Sequence, residues 1–231
     1  MSDPVSAVLF DLDGTLVRYC RPPDVLLQEA FESVGTGQLF PIEAYYDRFD
    51  EFAECTDSMA ELRRECFAAL CSERGHDPGL GRRVADAYAA ARDHRNVEYL
   101  AGARRVLDQF SEQYSIGIVT NGSRDAQRQK LESAGVATRA DTVVFAGHDT
   151  PAKPAPEPFS RALDDLGVSP EETIHVGDSV ASDVAGANAA GLTSVLLVSD
   201  GNETVATDGE TADHVIHSLP ELRALPWVER L

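Results

Sequence analysis

The chain has 231 residues, 43% of them hydrophobic, and sets 39 acids against 20 bases for a net charge of −19. That length can bury a sizeable core, as one large domain or as one domain with an insert. Acids scattered along the whole chain oppose binding to nucleic acid or anionic membrane, no apolar run is long enough to span a bilayer, and the start, M-S-D-P, has neither a basic region nor an apolar signal core.

Only two of the bases are lysine, Lys130 and Lys153; the rest are arginine. This acidic, lysine-poor composition resembles that of cytosolic proteins from salt-loving archaea, in which high salt screens the self-repulsion. Cys20, Cys55, Cys66 and Cys71 form no C-x-x-C pair. They read as reduced thiols of a cytosolic protein, with neither a zinc site nor a disulfide framework.

The first element is an apolar strand, V-S-A-V-L-F, that stops on Asp11 and Asp13. Their i, i+2 spacing sends both carboxylates the same way from an extended strand. Two adjacent acids repel, so the arrangement implies a shared cation or proton. Gly14 permits a tight bend just beyond, and the Thr15 hydroxyl can tie the loop down. A calcium loop is excluded, because counted from Asp11 the required Gly and Glu positions are Leu16 and Pro22.

From 17 to 98 there is almost no strand-like alternation. The spacing predicts helices over roughly 22–34, 41–54, 58–74 and 80–95. Beyond residue 100 short apolar runs alternate with amphipathic segments. Strands are expected at 115–120, 142–146, 173–176 and 193–198, with a short edge strand at 214–216. Helices are expected at 123–134 (Ser123 as N-cap, Gly135 as stop), 156–166 (closed by Gly167), 180–190 (ended by Gly191) and 219–225. The polar stretch 201–211 reads as a mobile loop. This rhythm implies an α/β fold: a doubly wound, Rossmann-like parallel sheet formed by 1–16 and 99–231, with 17–98 as an inserted all-helical cap domain.

Ligands of such sheets bind beyond the carboxyl ends of the strands. There the chain offers Asp11 and Asp13, then Thr120-Asn121-Gly122, then Lys153 in a proline-flanked loop, then Gly177-Asp178-Ser179 with Asp183 four residues on. Singly, Thr120-Asn121-Gly122 reads as a turn, Gly177-Asp178-Ser179 as a helix cap and Asp183 as an exposed helix residue. Together they suit a divalent cation and an oxyanion.

With those residues in view, the chain resembles the haloacid dehalogenase superfamily of phosphohydrolases: D-L-D-G-T, T-N-G, A-K-P-A-P-E-P-F and G-D-S-V-A-S-D match its four motifs in order. The resemblance implies a magnesium-dependent phosphatase acting on a small phosphorylated metabolite. In that scheme Asp11 is the nucleophile, forming an aspartyl-phosphate. Asp13 is the general acid and then the general base. Mg2+ is held by Asp11, Asp178 and the Asp13 backbone carbonyl. Thr120 and the Asn121–Gly122 backbone bind phosphate oxygens, Lys153 neutralises charge, and Asp183 orients a metal-bound water or Lys153 from behind the ligands.

Three alternatives stay open. A dehalogenase of this fold lacks the second acid, so Asp13 argues against it; a phosphomutase keeps both acids; a non-catalytic binding protein would show decayed motifs, and every motif residue is present. Gly122 after T-N and Ala155 after K-P depart from the commonest family pattern without removing a catalytic group. Substrate choice is assigned to the cap, with Arg18 and Tyr19 at its entrance and Arg48, Arg63, Arg64 and Arg92 within it, each singly readable as a solvated helix residue. His148 falls in the loop before Lys153, and His175 packs inside a strand. A sugar phosphate, a nucleotide and phosphoglycolate all remain open as substrates.

Overall fold

A strand buried on both faces carries apolar side chains throughout, and β1 (Ala7–Phe10) is such a strand, with all four residues buried. The computed structural model that contains it describes residues 5–53, 55–56, 58–198 and 211–227. Most of the loop expected at 201–211 therefore lies outside the described residues. After β1 come β2 (Val17–Tyr19), α1 (Pro23–Ser33), α2 (Glu43–Tyr46), α3 (Phe49–Ala53), α4 (Met59–Glu73), α5 (Pro78–Ala91), β3 (Val97–Tyr99) and α6 (Ala103–Phe110). They are followed by β4 (Ser115–Asn121), α7 (Arg124–Ala134), β5 (Thr142–Ala146), α8 (Glu157–Leu166) and β6 (Thr173–Gly177). A π-helical turn (Val180–Val184) leads into α9 (Ala185–Ala189), then β7 (Thr193–Leu197), β8 (His214–Ile216) and a 3-10 segment (Leu219–Ala224).

Six strands pair in the order β5-β4-β1-β6-β7-β8, every pair parallel. The side-chain period of two divides β1 between two cores. Val8 and Phe10 join the cluster that holds Val106, Leu107, Phe110 and Leu131, which covers one face with α6 and α7. Leu9 joins the cluster that holds Phe159, Leu163 and Ala187, which covers the other face with α8 and α9. The result is the expected Rossmann-like sheet with helices on both faces.

The chain divides into two compact units, Met1–Tyr19 with His94–Leu231 and Cys20–Asp93. The second unit is built of α1 to α5 and has its own core, including Phe31, Phe40, Phe67, Val84 and Tyr88. Gly81 sits where α5 meets α4: a Cβ there would stand 2.2 Å from the Phe67 carbonyl oxygen.

Several details differ from the expectations. The single helix expected over 41–54 is two short ones, α2 and α3. The stretch expected to be helical throughout carries a strand at each end, β2 and β3, which pair antiparallel with Tyr19 opposite Val97. Helix α6, with buried Ala103, Val106, Leu107 and Phe110, fills a stretch for which no element was expected. Ser123 stands at the N-cap of α7, but its side chain makes no capping bond. The Thr15 hydroxyl is fully buried and without a partner among the described residues, so it does not tie the loop. Backbone bonds hold the bend instead: the Leu16 and Val17 amides donate to Leu12 O, and the Gly14 amide donates to Val17 O.

Candidate active site

The register of the three central strands decides where the acids emerge. Phe10 at the end of β1 lies opposite Ile118 on β4 and Val176 on β6. Asp11, Thr120 with Asn121, and Gly177 with Asp178 therefore leave the sheet at one carboxyl edge. The Asp11 amide still donates to Val176 O at 2.9 Å, which extends the sheet one residue into the site.

Asp11, Asp178 and Asp183 each present an oxygen, and these oxygens all lie within 4.8 Å of one another. Two glycines make that convergence possible. A Cβ on Gly14, whose φ is +78°, would stand 2.1 Å from Asp178 Oδ2, and a Cβ on Gly177 would stand 2.3 Å from Asp183 Cγ. The π-helical turn after β6 aims Asp183 back at the strand ends: its Oδ2 accepts from the Ser179 amide at 3.1 Å, and the Asp183 amide donates to Ser179 O.

The Lys153 ammonium sits among these acids, its side chain 1% exposed. It donates to Asp11 Oδ1, Asp183 Oδ1 and Val119 O, each at 2.7 Å, which uses all three of its hydrogens. Asn121 fixes the backbone beneath it, donating from Nδ2 to Lys153 O at 3.1 Å and accepting from the Lys153 amide at 2.9 Å. His175 is buried and places Nε2 3.0 Å from Asp183 Oδ1, so it does more than pack inside β6.

Burial sets the charges. It pushes the Asp11 carboxyl up to about 7, helped by Asp183 and Asp178 and opposed by Lys153. Asp178 is pushed up to about 6, again by burial first and by Asp183 and Asp13 second. For Asp183 burial also pulls upward, but Lys153 and His175 outweigh it and hold the group well below the usual carboxylate range. Burial drives His175 below its ordinary value, towards the neutral ring. Lys153 thus serves as the counter-ion of Asp183, while Asp11 and Asp178 are left wanting positive charge. Two such oxygens in a dry pocket fit a hard divalent cation.

The Asp13 side chain lies outside that cluster of three carboxylates. Its Oδ2 takes Lys130 Nζ at 2.6 Å and Gln127 Nε2 at 2.9 Å. The same Gln127 amide reaches Thr120 Oγ1 at 2.6 Å and Asn121 O at 2.9 Å. Lys130 and Gln127 are 5% and 2% exposed, and sequence reasoning passed over both. The available signal was scarcity: a chain with two lysines sends both of them to the D-L-D pair.

The sequence profile of the haloacid dehalogenase-like hydrolases matches residues 5–191. The chain belongs to that family. It is 30% identical over 241 residues to a ribulose-1,5-bisphosphate 5-phosphatase from Halopiger xanaduensis, covering 95% of this chain and 98% of the relative. It is 35% identical over 207 residues to a phosphoserine phosphatase from Thermus thermophilus, covering 83% and 81%. Among solved structures, a HAD-hydrolase from Bacillus subtilis, YfnB, shares the fold with a TM-score of 0.77 at 23% identity, covering 96% of this chain and 98% of that one.

Other residues singled out in this hydrolase have partners of their own. Arg18 pairs with Glu98, the half-buried Arg48 with Glu51 and Glu73, and Arg64 with Asp86. Arg63 is buried, with its Cζ 5.4 Å from the Tyr88 ring centroid, and Arg92 lies 5.9 Å from the same centroid. Tyr19 hydrogen-bonds His94 Nδ1 at 2.7 Å. His148 lies beside Asp149, which pairs with Arg124, and is not part of the carboxylate cluster. Among the described residues no helix is long and apolar enough to cross a membrane.

Proposed function

We propose that this hydrolase removes phosphate from a small phosphorylated metabolite, with Mg2+ as cofactor and an aspartyl-phosphate as intermediate. The observation that carries the reading is the buried Asp11 carboxylate, joined to Lys153 and within 4.8 Å of oxygens from Asp178 and Asp183. Oδ1 of that carboxylate is engaged and Oδ2 accepts no hydrogen bond among the described residues, which leaves it placed to attack phosphorus. The Halopiger and Thermus relatives, phosphatases of small phosphorylated metabolites, support the substrate class.

In this reading Asp11 forms a bond to phosphorus as the bond to the leaving oxygen breaks. Asp13 gives its proton to that oxygen, then takes one from the water that cleaves the aspartyl-phosphate, so that phosphate leaves and both acids return to their starting state. Mg2+ would be held by Asp11, Asp178 and the Asp13 carbonyl, where it neutralises acid charge and draws electrons from the phosphoryl group. Asp183 has committed Oδ1 to Lys153 and His175 and Oδ2 to the Ser179 amide. That commitment favours an orienting role behind the ligands.

Thr120 Oγ1 accepts from Gln127, and its one donated contact, to Asn121 O, is long at 3.5 Å. Its proton is therefore free for a phosphate oxygen. With the Asn121 side chain clamped on Lys153, the contribution of that segment is the backbone of Asn121 and Gly122. Asp13 and the acid cluster weigh against dehalogenation, which needs neither an acid for the leaving group nor a metal.

The test is phosphate release from a panel of small phosphomonoesters, with Mg2+ and with EDTA, for the wild type and Asp11→Asn. The reading expects metal-dependent release from one or two esters and none from the folded variant. Release by Asp11→Asn at the wild-type rate would sink the nucleophile assignment, and release unaffected by EDTA would sink the cofactor.

A further inference from the structure

We infer that Lys130 is a positioning residue for Asp13, holding one carboxylate oxygen so that the other is presented for proton transfer. The inference rests on the phosphatase reading, since it concerns the acid–base group of that reaction.

Lys130 and Gln127 stand three residues apart on α7 and so share one face of the helix. Both direct their terminal nitrogens to the same atom, Asp13 Oδ2, at 2.6 and 2.9 Å. Oδ1 accepts no hydrogen bond among the described residues, and the Asp13 side chain is 39% exposed. A carboxylate held by one oxygen and open at the other is oriented without being used up.

The support is itself supported. Lys130 Nζ lies 4.8 Å from the Tyr19 ring centroid, within cation–π range. Tyr19 is the last residue of the larger unit before Cys20, and its hydrogen-bond partner His94 is the first residue after Asp93. Gln127 ties the same arrangement to Thr120 and Asn121 at the end of β4. A compact ammonium with three donors fits between the Asp13 carboxylate and the Tyr19 ring, where a planar guanidinium would need more room. That accounts for a lysine here in a chain whose other bases, Lys153 aside, are all arginine.

The experiment is transient kinetics of Lys130→Met, which keeps the apolar stem and removes the ammonium. Two esters are compared, p-nitrophenyl phosphate, whose leaving group departs without a proton, and an alkyl phosphate, which needs one. The inference expects kcat for the alkyl ester to fall by about 10- to 100-fold, with KM within about threefold of wild type. With the nitrophenyl ester the first turnover stays fast while breakdown of the intermediate slows, giving a nitrophenol burst that matches the enzyme concentration. Should Lys130→Met not fold, Lys130→Gln is read in the same way. Folded variant with kcat within about threefold of wild type on both esters overturns the inference, as does an equal fall in the burst and steady-state rates. Asp13→Asn is run beside it. An active Asp13→Asn refutes the phosphatase reading of Asp13 itself, whereas an inactive one with normal Lys130→Met refutes only the role of Lys130.

Discussion

Replacing Lys153 with Met keeps the length of the side chain and removes the charge that Asp11 and Asp183 both contact. Nζ lies 2.7 Å from both Asp11 Oδ1 and Asp183 Oδ1. At an effective dielectric of about 20, each contact amounts to about 6 kcal/mol of attraction, against several kcal/mol for keeping the ammonium out of water. Removing one partner of a buried pair costs about 3–5 kcal/mol. At about 2–4 °C per kcal/mol for a chain of this size, the melting temperature should fall by about 10 °C at about pH 8 in EDTA. The deficit must depend on pH. In the wild type Asp183 is depressed by Lys153, so it adds stability above its unfolded value of about 4 and loses it as pH falls. Without Lys153, burial makes it a raised group, whose penalty sets in as pH rises through the same range. The deficit is therefore largest near pH 8 and shrinks towards about pH 5, where the acids take up protons. Thermal melts of both proteins across this range, with and without Mg2+, provide the assay. A variant melting within about 2 °C of wild type at about pH 8 in EDTA, or a deficit that does not change with pH, would refute the reasoning.

Binding of Mg2+ should compete with protons on Asp178 and Asp11, which sit up near 6 and 7. Affinity measured by calorimetry should weaken below about pH 7, by up to about tenfold per pH unit for each proton displaced, and a flat profile would remove these acids as ligands. Gly14→Ala places a Cβ 2.1 Å from Asp178 Oδ2 at a φ of +78°, so the folded variant should bind Mg2+ at least about tenfold more weakly; unchanged affinity would contradict the packing. Gly81→Ala drives a Cβ against the Phe67 carbonyl and should cost about 1–3 kcal/mol, read as early loss of protection in 20–93 by hydrogen exchange. Raising KCl from about 0.1 to about 2 M should raise the melting temperature by screening the net charge of −19, and a fall would count against the salt-adapted reading of the composition.

Much of the sheet was legible because buried parallel strands are short apolar runs, as in T-V-V-F-A, which is β5 from end to end. Glycines marked the ends of α7 and α8, where Gly135 and Gly167 adopt the left-handed conformation. The pair β2 and β3 was hidden by length, since three residues cannot display a period. Helix α6 left a usable signal, apolar residues at 103, 106, 107 and 110 at helical spacing, in a segment for which no element was expected. At the site, groups that follow strands could be found from the strands alone. Lys130 and Gln127 belong to the middle of a charged helix, R-D-A-Q-R-Q-K, where a buried face and a solvated one look alike. Only the fold reveals which way that helix turns. The π-helical turn at Val180 had no sequence marker either, yet it carries Asp183 to Lys153.

The antiparallel ribbon of Val17–Tyr19 and Val97–Tyr99 fastens together the two points between which residues 20–93 leave and return. For chain statistics, that unit is a loop whose ends are already closed. The entropy of closing a loop grows by only about 0.6 kcal/mol for each doubling of its length. Evolution can therefore lengthen, shorten or exchange what hangs from the ribbon at small thermodynamic expense, while the six parallel strands keep their register. The ribbon makes the helical unit a replaceable cassette, because an exchange beyond it leaves the register that sets the acids at the strand ends untouched.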